Sequence, residues 1–317
     1  MPAILTHYDF AQKAISPSSE KYRKACYVGA QGPDIFFFYG QVPWKKRNRP
    51  ECIDGFGRRL HHIDIAPVYA KMISIARQKP QKELLESYID GLFLHYCLDR
   101  RCHPYIFSRT GVSEDEKLMK LYGGSHCLFE TMVDFIIAGR KGRIGKPGDA
   151  LSLDENDSIA ITYLWFELNA ALSISNYLPL AAFYESKKDY VSIENFLNFP
   201  LGLKRGLLKK VAGPWSLPYC MSFPRSLKKF EGIDFLNEGK ATWVDPVSGL
   251  ERNESFAELE DFALQDFKTV KEIITRGFLG EDIEGELLKF TQGINHDGTK
   301  EGEKKTHFSL VWSVEEA

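Results

Sequence analysis

Two long stretches of this chain repeat apolar residues at three- and four-residue intervals: KELLESYIDGLFLHYCLD at 82–99 and SEDEKLMKLYGGSHCLFETMVDFIIAG at 113–139. That period is helical. Alternating strand-like runs are scarce, so the chain reads as all-α, a multi-helix bundle. Each stretch also carries an imidazole and a carboxylate four positions apart, His95 with Asp99 and His126 with Glu130. Four residues is about one helical turn, so each pair shares a face and can grip one cation.

The first of these helices begins after Pro80, and Pro104 predicts its end at or before His103. The second opens on Ser113 with Glu116 as a capping box and breaks at Gly123-Gly124. Further helices are expected over 157–178, capped by Asp157, over a short segment opened by Ser192, and over 254–278. THFSLVWSV (306–314) is the best strand candidate and KATWVDP (240–246) the second. Loops are expected at 28–60, 140–154 and 213–226, and the polar tract INHDGTKEGEKK (294–305) reads as a mobile surface loop. The simplest division is a helical metal-binding catalytic domain over 1–200 and a less regular, mainly helical extension over 201–317 packed on it.

With 317 residues the chain can bury a substantial core. A formal charge of −2 leaves no electrostatic footprint for duplex nucleic acid. The N-terminal segment lacks the basic and apolar regions of a secretory signal. No apolar run approaches the roughly 20 residues of a transmembrane span, and a cytoplasmic location follows as the expectation. The six cysteines form no C-x-x-C pair and are expected as free thiols packed in the core.

The histidines are distributed unevenly: six of eight fall before residue 127, beside carboxylates. Asp99 on the apolar side of a helix would be costly to bury unpaired, and a metal offsets that cost. His103 follows Asp99 by four positions, and His7, Asp34 and one of His61 or His62 lie upstream. Asp34 follows Gly32-Pro33, a turn that presents its carboxylate to a cleft; Asp64 is the local alternative. Nitrogen and oxygen ligands of this kind suit zinc, and their number suffices for more than one ion.

The residues also carry a family likeness. GAQGPDIFFFYG (29–40), Gly-x-x-Leu-His at 57–61, HYCLDRRCHPYI (95–106) and His-x-x-x-Glu at 126–130 resemble the zinc-dependent phospholipase C family, which is related in fold and metal site to the single-strand-specific zinc nucleases. The resemblance covers roughly the first 130 residues, in the family's order. It implies an all-α phospholipase C/nuclease-like bundle around a cluster of two or three zinc ions. Asp34, His61, His95 and Asp99 would hold the first zinc, and His103, His126 and Glu130 the second. His7 and the shared Asp99 would hold the third. His61 takes the ligand role from the Gly57 spacing, leaving His62 to face solvent or support a ligand.

In the family the amino terminus also binds the third zinc. This chain has no Trp near its start, and Pro2, once Met1 is trimmed, is the candidate replacement because a free α-amino group has a pKa near 8. The implied activity is hydrolysis of a small phosphoester or phospholipid by a metal-activated water, with Asp34 orienting that water and accepting its proton. Arg100 and Arg101 could assist with phosphate. IFFFY (35–39) with Trp44 would form either a lipid-facing lip or a buried edge. A nuclease-type phosphodiesterase and a non-catalytic metal-binding or scaffold protein are the alternatives. A phosphohydrolase built on a His-Asp doublet would need it in the helical core, and the sole doublet, His296-Asp297, lies in the polar tract. The C-terminal third reads as a packing appendage.

Overall fold

The computed structural model describes residues 4–15, 22–42, 51–112, 116–142, 146–198 and 202–309, without the side chains of 51–54 and 116–121. Pro2, Ser113 and Trp44 lie outside these residues. The fold is all-α. In chain order the helices are α1 (Ile4–Ala14), α2 (Arg23–Gly29), α3 (Glu51–His62), α4 (Ala66–Ala76), α5 (Lys82–Thr110), α6 (Glu116–Arg140), α7 (Glu155–Leu172), α8 (Ala182–Asn198), α9 (Arg205–Ala212), α10 (Leu217–Cys220), α11 (Phe256–Leu279) and α12 (Glu284–Thr291). Among the described residues, short 3-10 turns join them at Gly32–Phe38, Pro147–Leu151 and Leu227–Phe230. A two-stranded antiparallel hairpin, β1 (Trp243–Val244) with β2 (Glu251–Arg252), pairs Trp243 with Arg252.

Helix α5 is the axle of the molecule. Its residues are buried almost all round, from Leu84 and Tyr88 through Phe93 and Tyr96 to Tyr105, as befits a helix packed on every side. α2 and α11 lie against it, with α1, α4 and α6 completing the sheath. α2 approaches unusually closely, because Gly29 meets Gly91: a Cβ on Gly91 would stand 2.2 Å from the Cys26 carbonyl oxygen. The C-terminal extension adds to the same core through Trp243, Phe256, Ile274 and Leu287. Its α11 opens on a Ser255–Glu258 capping box.

Several local expectations give way to packing. α5 does not stop before Pro104 but runs through it to Gly111, whose φ of 75° ends the helix. Proline forfeits one hydrogen bond and clashes with the preceding turn, and burial of α5 on both sides of Pro104 outweighs that cost. α6 continues through Gly123-Gly124, where Trp215 packs against Gly124. α7 begins at Glu155 and stops at Leu172, so Asp157 lies in its first turn and is not its cap. Ser192 sits inside α8, bonding the Lys188 carbonyl. The expected loops at 28–60, 140–154 and 213–226 contain α3, 3-10 turns and α10. Residues 306–309 of the expected C-terminal strand are not β structure; Thr306 and His307 donate to the Pro246 carbonyl and Ser309 to that of Ser108.

The aromatic run at 35–39 settles as a buried 3-10 turn. Phe36 packs edge-on against Phe56 and Trp165, and Phe38 stacks on Tyr190 at 3.7 Å. No lipid-facing lip forms from Ile35, Phe36 or Phe38, which are buried. Cys26, Cys97, Cys102, Cys127 and Cys220 are free and buried, as core thiols. Among the described residues no helix is long and apolar enough to cross a membrane.

α1 is held from outside its own backbone. The Asp134 carboxylate of α6 accepts hydrogen bonds from Leu5 N (2.8 Å), Thr6 N (2.7 Å) and Thr6 Oγ1 (2.6 Å), capturing backbone donors that a helix start leaves unpaired. Asp134→Ala leaves those buried donors without partners. It is expected to cost about 2 kcal/mol or more of stability, and to loosen any ion held by His7. Thermal unfolding and zinc titration of the variant check both.

Candidate metal centre

Five imidazoles and three carboxylates from five elements converge beside α5. α5 supplies His95, Asp99 and His103 from one face, since the helix continues past Pro104; His103 therefore projects by ordinary helical stepping and not by a turn of the chain. α1 brings His7, α3 brings His61, the 3-10 turn brings Asp34, and α6 brings His126 and Glu130. The ligating atoms form three groups, each within 4.8 Å of one another: His7–His95–Asp99, Asp34–His61–His95, and His103–His126–Glu130.

Asp99 stands at the centre. Its Oδ1 lies 3.2 Å from His7 Nε2 and 3.8 Å from His103 Nε2, and its Oδ2 is 3.0 Å from His95 Nε2. It thus touches both imidazoles of its own group and one of the third. Asp34 Oδ1 is 2.8 Å from His61 Nε2, and Glu130 Oε1 is 3.1 Å from His126 Nε2 and 3.5 Å from His103 Nε2.

Three of the histidines are oriented by main-chain carbonyls, which only accept hydrogen bonds. His61 Nδ1–H donates to Gly57 (2.8 Å), His95 Nδ1–H to Ala30 (3.1 Å) and His103 Nδ1–H to His296 (2.8 Å). Each Nε2 is thereby turned to the carboxylates, the arrangement that fixes a metal-ligating tautomer. Gly32 makes room for this: its φ is +55°, and a Cβ there would lie 2.1 Å from the His95 ring.

The charges decide what the centre lacks. Burial opposes ionisation of Asp99, but His103, His95 and His7 hold its carboxyl well below the usual range. Glu130 is lowered likewise against burial, by His126 and His103, and Asp34 by His61 and His95. Burial also opposes the charge on His103, yet Asp99 and Glu130 outweigh it and push the imidazole up to about 10. Asp34 raises His61 in the same way. A proton therefore serves His103, and the same pull acts on His61. A proton does not serve His95, where burial dominates and keeps the ring neutral. His95 Nε2 and Asp99 Oδ2 are both buried, 3.0 Å apart, and among the described residues neither has a hydrogen-bond partner. Two facing lone pairs in a dry interior are satisfied by a cation between them.

Beside Asp99 there is also a small space: a cavity of about 20 Å³ lies among His7, Asp99, His103 and Glu130, enough for one water-sized occupant. Larger clefts, of about 320 to 540 Å³, lie elsewhere and contain none of the ligating residues. The donor set, imidazole nitrogens and carboxylate oxygens without thiolates, suits zinc and other borderline divalent ions. The centre is sealed at His95, and its slightly open edge is formed by His61, His103 and His126, whose side chains are 10 to 13 % exposed.

Other candidates fall outside the centre. Arg101 makes a two-toothed ion pair with Asp266 of α11 (2.7 and 2.8 Å), and Arg100 joins Asp266 at 3.3 Å while lying over the Tyr96 and Phe290 rings. Both arginines staple α11 to α5 and are not free for phosphate. Asp64 binds the Ala66 N–H at the start of α4. His62 is 56 % exposed at its side chain and 3.7 Å from Asp297.

The polar tract is the largest departure from expectation. It folds over the centre: Asn295, His296 and Thr299 are buried, and the His296 ring lies 5.1 Å from that of His61 and 5.3 Å from that of His95. Asp297 stands 4.0 Å from His103 Nδ1 and pairs with Lys305 at 2.7 Å. Composition hid these residues, since Asn, Asp, Gly and Lys dominate the tract. The one available signal was a seventh histidine joined to an aspartate. Compared with protein-family models, with curated proteins and with solved structures, the chain finds no match.

Proposed function

We propose that this protein is a zinc-dependent phosphoester hydrolase, a phosphodiesterase of the phospholipase C-like kind. The observation that carries the reading is the buried His95, its Nε2 aimed at Asp99, at the join of the two ligand groups that have it in common. A single structural ion needs about four ligands, whereas eight gathered donors suit a multinuclear site. Zinc held there supplies an acidified water and the positive charge that phosphoryl oxygens require.

The chain's own residues do the rest. His61, His95 and His103, pinned by main-chain carbonyls, hold fixed positions. Asp34, at the edge of the centre with one oxygen 3.9 Å from His95 Nε2 and the other on His61, is placed to orient a water and take its proton. The ester would approach across the open edge formed by His61, His103 and His126.

The test is zinc content by plasma mass spectrometry, followed by hydrolysis of soluble phosphodiesters, phosphomonoesters, single-stranded nucleic acid and phospholipid vesicles, with and without chelator. Up to three zinc equivalents per chain are expected, with His95 Nε2 serving one ion only and Asp99 shared between ions, and with hydrolysis of a phosphodiester abolished by chelation and restored by zinc. A metal-replete protein inert on every ester would leave a metal-binding or scaffolding role in its place.

A further inference from the structure

His296 presents a problem that the ligand groups do not solve. The residue is wholly buried, and among the described residues neither Nδ1 nor Nε2 has a hydrogen-bond partner. An unsatisfied buried polar group costs about 1–3 kcal/mol. A phenylalanine would fill the same space without that cost.

The loop is built to hold the ring where it is. The Asn295 side-chain oxygen accepts from Asp297 N, Thr299 N and Thr299 Oγ1, closing a tight turn. Tyr96 Oη donates to the Ile294 carbonyl at 2.7 Å, and His103 donates to that of His296. Gly298, with φ +74°, lies in the notch that Pro104 leaves on α5; a Cβ there would meet the Pro104 ring at 2.6 Å and the Arg100 carbonyl oxygen at 2.8 Å. Both neighbouring parts of α5 thus anchor this turn over the centre.

The ring is not placed as one more ligand. Two donors on one zinc stand at most about 4.2 Å apart, twice a bond of about 2.1 Å. His296 belongs to none of the groups whose ligating atoms lie within 4.8 Å of one another. It stands one layer out, beside the rings of His61 and His95.

We propose that His296 makes the hydrogen bond from this chain to a phosphate-like oxyanion bound at the metal centre. The proposal rests on the hydrolase reading and adds a recognition residue 193 positions along the chain from His103. An oxyanion accepts an N–H of the ring, which one of the two unpartnered nitrogens carries in either protonation state, and it enters only when the centre carries positive charge.

The experiment compares wild type with His296→Phe and His296→Gln, each loaded with zinc, using inorganic phosphate as the probe. Zinc content is measured by mass spectrometry and phosphate affinity by calorimetry. The expected result is unchanged zinc content in all three proteins and phosphate affinity lowered about 10- to 100-fold in the phenylalanine variant, the span of one hydrogen bond to a charged group. The glutamine variant, which keeps an N–H, recovers part of the loss. Loss of a zinc equivalent from His296→Phe with full zinc in His296→Gln overturns the proposal, as does equal phosphate affinity in all three. Zinc-loaded wild type that binds no phosphate overturns it too. Wild type that takes up no zinc refutes the hydrolase reading itself, a result separate from the comparison of variants.

Discussion

Asp99→Asn protein, purified with zinc, carries at least one zinc equivalent fewer than wild type and hydrolyses phosphodiesters more than about 100-fold more slowly. The size follows from position. Loss of an outer-shell partner of a metal site already costs about 10- to 100-fold, and Asp99 faces His7, His95 and His103 directly, with both oxygens engaged. The amide keeps the shape of the side chain but has only one oxygen to offer and no charge. The His7 group is the first to empty, since Asp99 is its sole carboxylate. Asp64→Asn is the control: Asp64 serves only the start of α4, and its variant retains wild-type zinc. Mass spectrometry of the two proteins decides the matter, and Asp99→Asn with full zinc content refutes the assignment.

Zinc affinity at the His103–His126–Glu130 group rises about tenfold per pH unit from pH 6 to 8, which is about 100-fold across that span. Metal-free His103, raised to about 10 against burial by Asp99 and Glu130, is protonated at neutral pH, whereas His126 is lowered and neutral. A zinc ion must expel the His103 proton, so acid competes with metal. Competition with a chromophoric chelator at several pH values gives the slope, and calorimetry in buffers of different ionisation enthalpy counts the proton. A flat profile would mean that His103 is already neutral.

The same shifts set the stability of chelator-treated protein, with opposite signs on the two flanks. His103 is raised, so its contribution is complete below the unfolded value near 6.5 and is lost as pH climbs through about 10. Asp99 and Glu130 are lowered, so theirs is complete above the unfolded values of 3.8 and 4.5 and is lost as pH falls. These three groups together stabilise the metal-free protein most between about pH 5 and 6.5.

Much of this was legible in the residues. The period of 82–99 announces a buried helix, and the four-residue steps from His95 to Asp99 and from His126 to Glu130 place each pair on one face; these rest on geometry local to one element. What was not legible rests on contacts between elements. The rule that proline closes a helix failed at Pro104 because burial from Leu98 to Tyr105 outweighs one lost hydrogen bond. The glycines at 123–124 belong to a continuous helix because Trp215, nearly a hundred residues on, packs there. Arg100 and Arg101 looked available for phosphate until Asp266 of α11 was seen beside them. His296 was hidden most thoroughly, in a tract whose composition matches solvent-facing loops, because its neighbours come from α3 and α5.

The passage of α5 through Pro104 has a metrical consequence. Residues 95, 99 and 103 mark equal steps along one continuous helix, each about 6 Å at the rise of 1.5 Å per residue. The distance between neighbouring ions would then be inherited from helix pitch, and the loops around the centre could vary in length without altering it. A single residue inserted between 95 and 103 would swing every later donor by about 100°. The helix is a graduated ruler, and its markings cannot be shifted one at a time.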